Sequence, residues 1–332
     1  MEDPVVAAAV AVDSWSGQGV HLSDVADALS DLRDQSSGYS SEARTAVMTL
    51  VGVALSDEDA YGATGALRIL AGHHPSRIVL IRPDPDQVAS LGARATLYAL
   101  DTEHHRVNFE ELLLEVGGQA ANHLDSLVEA FTLSDLPVAV WYVNSIPVAT
   151  DPLLSVASAI LIDSRDAPDP GQLRSLLQLA RRRTLVDLSW SRLTAWREML
   201  AGLFEPAANR PWLEYIDSAE VAGKTGPRRL LGGWLTAQTG LPPRRITLSD
   251  ARHVSIRLNC IRDGAEATFA AERVDGQRLV TAEAILPEGG SMRLTTSLPE
   301  DPLATSLANA LTHLRPDPVW ERALSSATAL SD

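Results

Sequence analysis

Charged side chains of types that do chemistry are concentrated between residues 136 and 204. One group lies in the short loop DSRDAPDP at 163–170, and another lies in DLSWSRLTAWRE at 187–198. Arginine binds carboxylates and phosphates through paired hydrogen bonds. A buried charge is costly unless it is paired, so this region is either a solvated surface with ion pairs or a preorganised recognition site. The residues concerned are Asp163, Arg165, Asp166, Asp169, Arg192, Arg197 and Glu198.

Two further places could recognise a ligand or a partner. Arg77 ends the turn HHPSR and opens an apolar strand, where it could pair with a carboxylate or carbonyl, or bind an anionic ligand. Ligands of open α/β sheets bind at the carboxyl ends of strands, which counts against the ligand interpretation. Trp141 and Tyr142 end the strand LPVAVWYV and are better placed for recognition, although an aromatic pair there can also cap the packing.

Common catalytic and binding motifs are missing from the sequence. It has no Gly-x-Gly-x-x-Gly, no Gly-x-Ser-x-Gly and no His-Glu-x-x-His. Gly-Lys-Thr occurs at Lys224, but the first glycine of a phosphate-binding loop is replaced by Ser218. The histidine pairs at 73–74 and 104–105 are adjacent, and adjacent residues do not share a helix face. We therefore predict no catalytic residue, no metal site and no cofactor.

Composition narrows the possible partners and compartment. The formal net charge of −15 argues against a nucleic acid or an anionic membrane as the main partner. Cys260 is the only cysteine, which excludes an intramolecular disulfide, and it lies in an alternating strand, so we expect a buried structural thiol. The acidic start of the chain and the lack of a long apolar segment predict a cytoplasmic protein without a signal peptide.

The elements of the first half predict an open α/β sheet covered by helices. Residues 1–20 look irregular, and a helix begins at Leu22. Apolar strands at 45–55 and 77–84 flank a helix capped by Ser56, which predicts a parallel crossover. Two more strands (95–100 and 107–118), a helix and the strand at 136–143 follow.

The second half predicts an α+β part with antiparallel strands. Helices are expected at 171–183, 187–204 and 228–240, and Leu193, Trp196, Leu200 and Phe204 would share one face of the second, joined by Trp190. Alternating segments between 253 and 299 are separated by Gly/Asp turns, which are hairpin signals, and two helices follow from 301. The predicted fold class is α/β with two parts, as domains 1–168 and 169–332.

These segments together resemble a known family, the glucose-6-phosphate dehydrogenase assembly proteins (OpcA family). The resemblance is carried by HHPSR, LPVAVWY, DSRDAPDP, DLSWSRLTAWRE and LLGGWL, in the order of the family. It implies a protein of two α/β parts that is not an enzyme and that promotes oligomerisation or allosteric activation of glucose-6-phosphate dehydrogenase. The family often has Cys where this chain has Ser76, so thioredoxin control through cysteines is not expected here.

Two hypotheses of different classes follow. In the first, the chain is a binding module for glucose-6-phosphate dehydrogenase. Trp, Tyr and Arg are the usual interface hot spots, so the predicted contacts are Trp141, Tyr142, Arg165, Arg192 and Arg197. In the second, the chain is a sensor or enzyme that binds a sugar phosphate through Arg77, Arg165 and Arg192. A scaffold for another partner also stays open.

Overall fold

The computed structural model of the chain describes residues 9–35, 46–71, 76–101, 106–132, 135–166, 170–287, 289–300 and 302–331. Its helices are α1 (Leu22–Gln35), α2 (Asp57–Ala71), α3 (Leu124–Glu129), α4 (Pro170–Ala180), α5 (Leu188–Arg192), α6 (Thr194–Gly202), α7 (Thr225–Thr239), α8 (Pro302–Thr312) and α9 (Pro318–Ala327). No helix in these ranges is long and apolar enough to span a membrane.

The strands fall into two sheets. The first sheet has the order β1-β4-β5-β3-β2-β6-β7-β8 and the second has the order β10-β9-β11-β12-β13-β14. The strands are β1 (Val10–Gln18), β2 (Met48–Val53), β3 (Ser76–Asp84), β4 (Ser90–Asp101), β5 (Arg106–Gly117), β6 (Val138–Tyr142), β7 (Ala159–Ile162), β8 (Leu185–Asp187), β9 (Ile216–Ala222), β10 (Ile246–Ser249), β11 (Ser255–Arg262), β12 (Ala265–Arg273), β13 (Leu279–Ile285) and β14 (Ser291–Ser297). The mixed α/β class with two sheets confirms the predicted fold class.

The chain forms two compact units whose segments alternate along the sequence. Unit 1 comprises residues 1–163, 183–186 and 303–315. Unit 2 comprises residues 164–182, 187–302 and 316–332. The division into two domains, 1–168 and 169–332, stays a prediction.

Unit 1 contains the eight-stranded sheet. Strand β2 pairs in parallel with β3 and β6, β3 with β5, and β6 with β7, so the predicted crossover from β2 through α2 to β3 is confirmed. Strand β4 pairs antiparallel with β5 and β1. Residues 10–18 were predicted to be irregular, which is wrong. Their mostly exposed side chains give no buried pattern, and β1 is an edge strand defined by its pairing with the distant β4.

Unit 2 contains the six-stranded sheet. The hairpins β11–β12, β12–β13 and β13–β14 are antiparallel, as predicted. Helix α6 packs against this sheet, where Phe204 stacks on Phe269 with ring centroids 4.1 Å apart. Helix α7 ends at Gly240 in the left-handed conformation, as predicted. Close to its middle, an added Cβ on Gly233 would lie 2.1 Å from the carbonyl oxygen of Ala323, so α7 and α9 touch backbone to backbone.

The predicted single helix over 187–204 is two helices. Leu193 lies between them, as the last cap of α5 and the first cap of α6. The break lets two tryptophans bind different segments of the unit, because Trp190 donates to Asp317 and Trp196 donates to the carbonyl oxygen of Val254. The expected apolar stripe is nevertheless buried in full, from Trp190 to Phe204.

Candidate functional site

Arg77 takes part in a buried ion-pair cluster of unit 1. Its Nε lies 3.0 Å from Oε2 of Glu110, and its Nη1 donates to the carbonyl oxygen of Phe131 at 3.0 Å. Arg33 from α1 reaches the same carboxylate with two bonds of 2.6 and 2.7 Å. Arg77 therefore has the carboxylate and carbonyl partners of the structural interpretation, while its use as an anion-binding residue stays a prediction. The residues His73, His74 and Pro75 lie outside the described residues.

The neighbouring carboxylate, Glu111, anchors a second helix. Consecutive residues of a strand point to opposite faces of the sheet, so Glu111 and Glu110 serve different faces. Arg68 from α2 binds Glu111 through two bonds of 2.8 and 3.0 Å and lies over the ring of Tyr98. Burial raises the pKa of Tyr98, and the Glu111 carboxylate adds to this rise. Two adjacent carboxylates thus fix α1 and α2 to the sheet.

Trp141 and Tyr142 lie in the core of unit 1. They are 1% and 3% exposed, because β6 is an inner strand that pairs with β2 and β7 on either side. Burial raises the pKa of Tyr142, helped by the nearby Asp151. The predicted contact of this pair with a partner stays a prediction. The burial agrees with the other interpretation that the sequence left open, a packing cap.

In unit 2, the first residue of DLSWSRLTAWRE is a buried hydrogen-bond hub. Asp187 accepts from the backbone N–H of Ser164 at 3.1 Å, from the Ser164 hydroxyl at 2.6 Å and from the N–H of Ser189 at 2.9 Å. The indole of Trp320 also donates to it, at 3.3 Å. Asp187 therefore caps α5 and joins three distant segments of the unit. Nothing in its spacing predicted that role.

The second hub of unit 2 surrounds Trp190. Its indole donates to Asp317 at 2.8 Å, and Asp317 also caps α9 through the N–H groups of Val319 and Trp320. Arg197 stacks on the Trp190 ring at 3.5 Å and donates to the Thr194 hydroxyl at 2.9 Å. Burial lowers the pKa of Arg197 to about 10, although Asp317 and Glu198 favour its charged form.

Arg165 and Arg192 are the remaining residues predicted to contact a partner. Arg165 lies in the 3-10 helix Ser164–Asp166, and Arg192 ends α5. Both belong to unit 2 and are half-buried, whereas Arg77 belongs to unit 1. Asp169 lies outside the described residues, and Asp163 is buried. The start of α7 near Lys224 is crowded, since a Cβ on Gly226 would lie 1.8 Å from the carbonyl oxygen of Ser164.

The parallel strands of unit 1 have the strand order of sheets that bind dinucleotides. Whether a dinucleotide fits here depends on the residues that follow the first of these strands. Counted along the chain, β5-β3-β2-β6-β7 is the order 3-2-1-4-5, in which a glycine-rich turn after the first strand cradles the pyrophosphate. Here that turn is Ala54-Leu55-Ser56. The Ser56 hydroxyl is used within the helix end, bonding to Asp59.

The charge at this helix end also opposes a phosphate. Asp57, Glu58 and Asp59 fill the first turn of α2, where a dinucleotide would place its own negative charge. The residues therefore do not fit a dinucleotide. Among the described residues, no group of three or more His, Cys, Asp or Glu side chains is arranged to hold a metal ion. Cys260 is buried, as predicted, and burial raises the pKa of its thiol to about 12.

Comparison with known proteins identifies the family. Residues 68–181 match the N-terminal domain of a glucose-6-phosphate dehydrogenase subunit (OpcA_G6PD_assem), and residues 183–324 match the C-terminal domain of that subunit (OpcA_G6PD_C). The chain belongs to the OpcA family. The resemblance seen in the sequence motifs is therefore confirmed.

Curated relatives are named OxPP cycle protein OpcA. The relative from Synechocystis is 27% identical over 54% of this chain and 40% of its own length, and that from Synechococcus elongatus is 23% identical over 78% and 60%. The chain thus spans about half the length of these relatives. A solved oxidoreductase from Sinorhizobium meliloti is 10% identical, covering 85% of this chain and 96% of its own, with a TM-score of 0.41. A score this low indicates a loose likeness only, and nothing about function follows from it.

Proposed function

We propose that this chain is a non-catalytic cytoplasmic protein that binds glucose-6-phosphate dehydrogenase and favours its active oligomer in the oxidative pentose phosphate pathway. The descriptions of both matching family models name that dehydrogenase. The names of the curated relatives refer to the OxPP cycle. Allosteric activation without a change of oligomer is the second form of the same proposal.

One observation from the structure carries the proposal. Two charged side chains of the segment 187–198, Asp187 and Arg197, are used to hold the fold together. Asp187 binds Ser164, Ser189 and Trp320, and Arg197 binds Trp190 and Thr194. A catalytic site would need such groups to face a substrate. Their internal use supports a folded surface that acts by contact.

A binding protein activates its partner only if it prefers the active state. The shift in the partner's equilibrium equals the difference in binding free energy between its two states. A tenfold preference corresponds to about 1.4 kcal/mol, which is within reach of a few contacts. Arg165, Arg192 and Arg197 stay proposed contact residues. The guanidinium of Arg197 also donates to Trp190 and Thr194 within unit 2.

The first test measures the activity and the mass of the cognate dehydrogenase with and without this chain. Activity is assayed across substrate concentration, and mass is measured by light scattering on a sizing column. We expect a joint complex and a higher activity. Unchanged activity and unchanged elution, across pH and with sugar phosphates present, would reject the proposal.

A separate calorimetric titration tests the alternative hypothesis, a sugar-phosphate sensor. Arg77, one of the three residues proposed to bind the sugar phosphate, already bonds to Glu110 and to the carbonyl oxygen of Phe131. Calorimetry with glucose 6-phosphate and 6-phosphogluconate should therefore give no saturable heat with this chain alone. Saturable binding at micromolar concentration would instead favour the sensor.

A further inference from the structure

The carboxyl edge of the parallel strands in unit 1 carries unusually exposed apolar side chains. This edge comprises residues 54–61 after β2, 84–90 after β3 and 143–151 after β6. In the described part of the chain, the five most exposed large apolar side chains are Tyr61 and Val88 (86%), Val148 (66%), Val10 (65%) and Leu55 (62%). All but Val10 lie at the carboxyl edge. Single exposed apolar residues are ordinary, but their concentration at one place marks an interaction surface.

The loops of this edge are held in place by polar contacts. The Asn144 amide donates to the Asp59 carboxylate at 2.6 Å, which fixes the loop after β6 to the first turn of α2. Arg82 near the end of β3 lies 3.1 Å from Asp57 and 3.4 Å from Glu115 of β5. A surface whose loops are already ordered loses less conformational entropy when a partner binds.

The charge around the apolar side chains is negative. Asp57 has an 89% exposed side chain, and Glu58 and Asp86 are also exposed. Asp84 ends β3 at the same edge. The same carboxylates that repel a dinucleotide phosphate would attract arginine and lysine side chains.

We propose that the carboxyl edge of unit 1 is the surface that binds glucose-6-phosphate dehydrogenase. It takes an apolar segment of that enzyme flanked by arginine or lysine. The assignment of the partner rests on the proposed function, while the place and the chemistry of the surface rest on exposure, order and charge. The parallel sheet keeps the usual ligand edge of its fold and uses it for a protein in place of a nucleotide.

Two valines of equal exposure provide a matched test. Val148 lies at the carboxyl edge, and Val10 begins β1 at the opposite edge of the same sheet, because β1 runs in the same direction as β5. Full-length V148D and V10D chains introduce the same charge into sites of equal exposure. Dissociation constants for the purified dehydrogenase are measured for both variants and for the unaltered chain, with circular dichroism as a check of folding.

We expect V148D to weaken binding about tenfold or more, as expected for an interface hot spot, and V10D to change it less than about twofold, as for a residue outside the interface. Y61A removes an exposed aromatic ring from the same edge, so it should also weaken binding, and it provides a second variant if V148D misfolds. If V148D, Y61A and V10D all bind the dehydrogenase with the same affinity, the carboxyl edge is not its binding surface. That result would leave the proposed function intact. Absence of binding and activation by the unaltered chain overturns both.

The charge argument has its own readout. E58K, which changes an exposed carboxylate outside the Arg82–Asp57 ion pair, should weaken binding and reduce its dependence on salt concentration, because attraction between charged surfaces is screened by ions. A salt dependence equal to that of the unaltered chain would reject a basic partner segment. If light scattering instead shows a dimer of this chain that V148D dissociates, the occupant is a second copy and the assignment to the dehydrogenase is overturned.

Discussion

In unit 1 the buried carboxylates of Glu110 and Glu111 face arginines, whereas in unit 2 the carboxylate of Asp187 faces hydroxyl, indole and backbone donors. An arginine side chain is long, so each ion pair of unit 1 ties a helix or strand to the sheet from a distance. Aspartate is short, so Asp187 draws the segments themselves into contact. Both arrangements compensate a buried negative charge. The loss of stability should nevertheless differ between them when one partner is removed.

The largest expected effect is in unit 2. D187A leaves the N–H groups of Ser164 and Ser189 and the Trp320 indole without their acceptor. Each buried unsatisfied donor costs about 1–3 kcal/mol, so we expect a loss of about 3–5 kcal/mol in the free energy of unfolding. Urea titration followed by tryptophan fluorescence reports this, since most of the tryptophans lie in unit 2. A loss below about 1 kcal/mol, the net worth of one ordinary hydrogen bond, would mean that the hub is not structural.

The next effect compares the two adjacent carboxylates of unit 1. E110Q removes the carboxylate charge that Arg33 and Arg77 share, which we expect to cost about 3 kcal/mol. E111Q should cost about 1 kcal/mol, because its arginine is 40% exposed and water replaces part of the interaction. Hydrogen exchange in β5 is measured for both variants, together with exchange in α1 for E110Q and in α2 for E111Q. Equal losses of stability would contradict the expected difference between the two ion pairs.

A smaller effect is expected at the second hub of unit 2. W190F keeps an aromatic ring beneath Arg197 but removes the N–H that donates to Asp317. We expect a loss of about 1–2 kcal/mol, typical of a hydrogen bond to a charged group. Thermal unfolding of W190F against the unaltered chain gives this value. An unchanged melting temperature would show that the bond from Trp190 to Asp317 does not stabilise the start of α9.

The smallest effect is a pH dependence set by Cys260. Burial raises the pKa of its thiol from 9.0 to about 12. Between pH 9 and 10 the unfolded chain therefore releases a proton that the folded chain keeps, so stability falls as pH rises. The expected slope approaches about 1.4 kcal/mol per pH unit, and C260A should lack this part of the slope. Identical slopes in the two proteins would contradict the assignment.

The elements that could be predicted from the sequence are those fixed by local pattern. The helix from Leu22, the Ser56 cap and the turn at Gly240 were all predicted, because each depends on neighbouring residues. Strand β1 was missed because its exposed residues have no burial pattern. The break at Leu193 was missed because Trp190 and Trp196 bind segments far away in the chain.

The candidate site was predicted less well, for a physical reason. A sequence shows which side chains can form ion pairs, but it does not show which partners the fold brings to them. A carboxylate partner was one of the options given for Arg77, and a packing cap was one of the two given for Trp141 and Tyr142, but the sequence could not choose between these options. The signal for Glu110 and Glu111 was present, since two acids in an otherwise apolar strand must meet positive charge. The carboxyl edge gave no signal, because exposure at strand ends appears only after folding.

The alternation of the two units along the sequence has a consequence for synthesis on the ribosome. Unit 1 is completed by residues 303–315 and unit 2 by residues beyond 316, so neither is whole until these late segments emerge. Domains usually fold one after another as they are made, but here unit 1 includes residues 303–315, which are made after most of unit 2. Unit 2 must wait for Trp320 to reach Asp187. The nascent chain therefore exposes two unfinished cores at once, and we expect its yield to depend on chaperones that hold partly folded chains during translation.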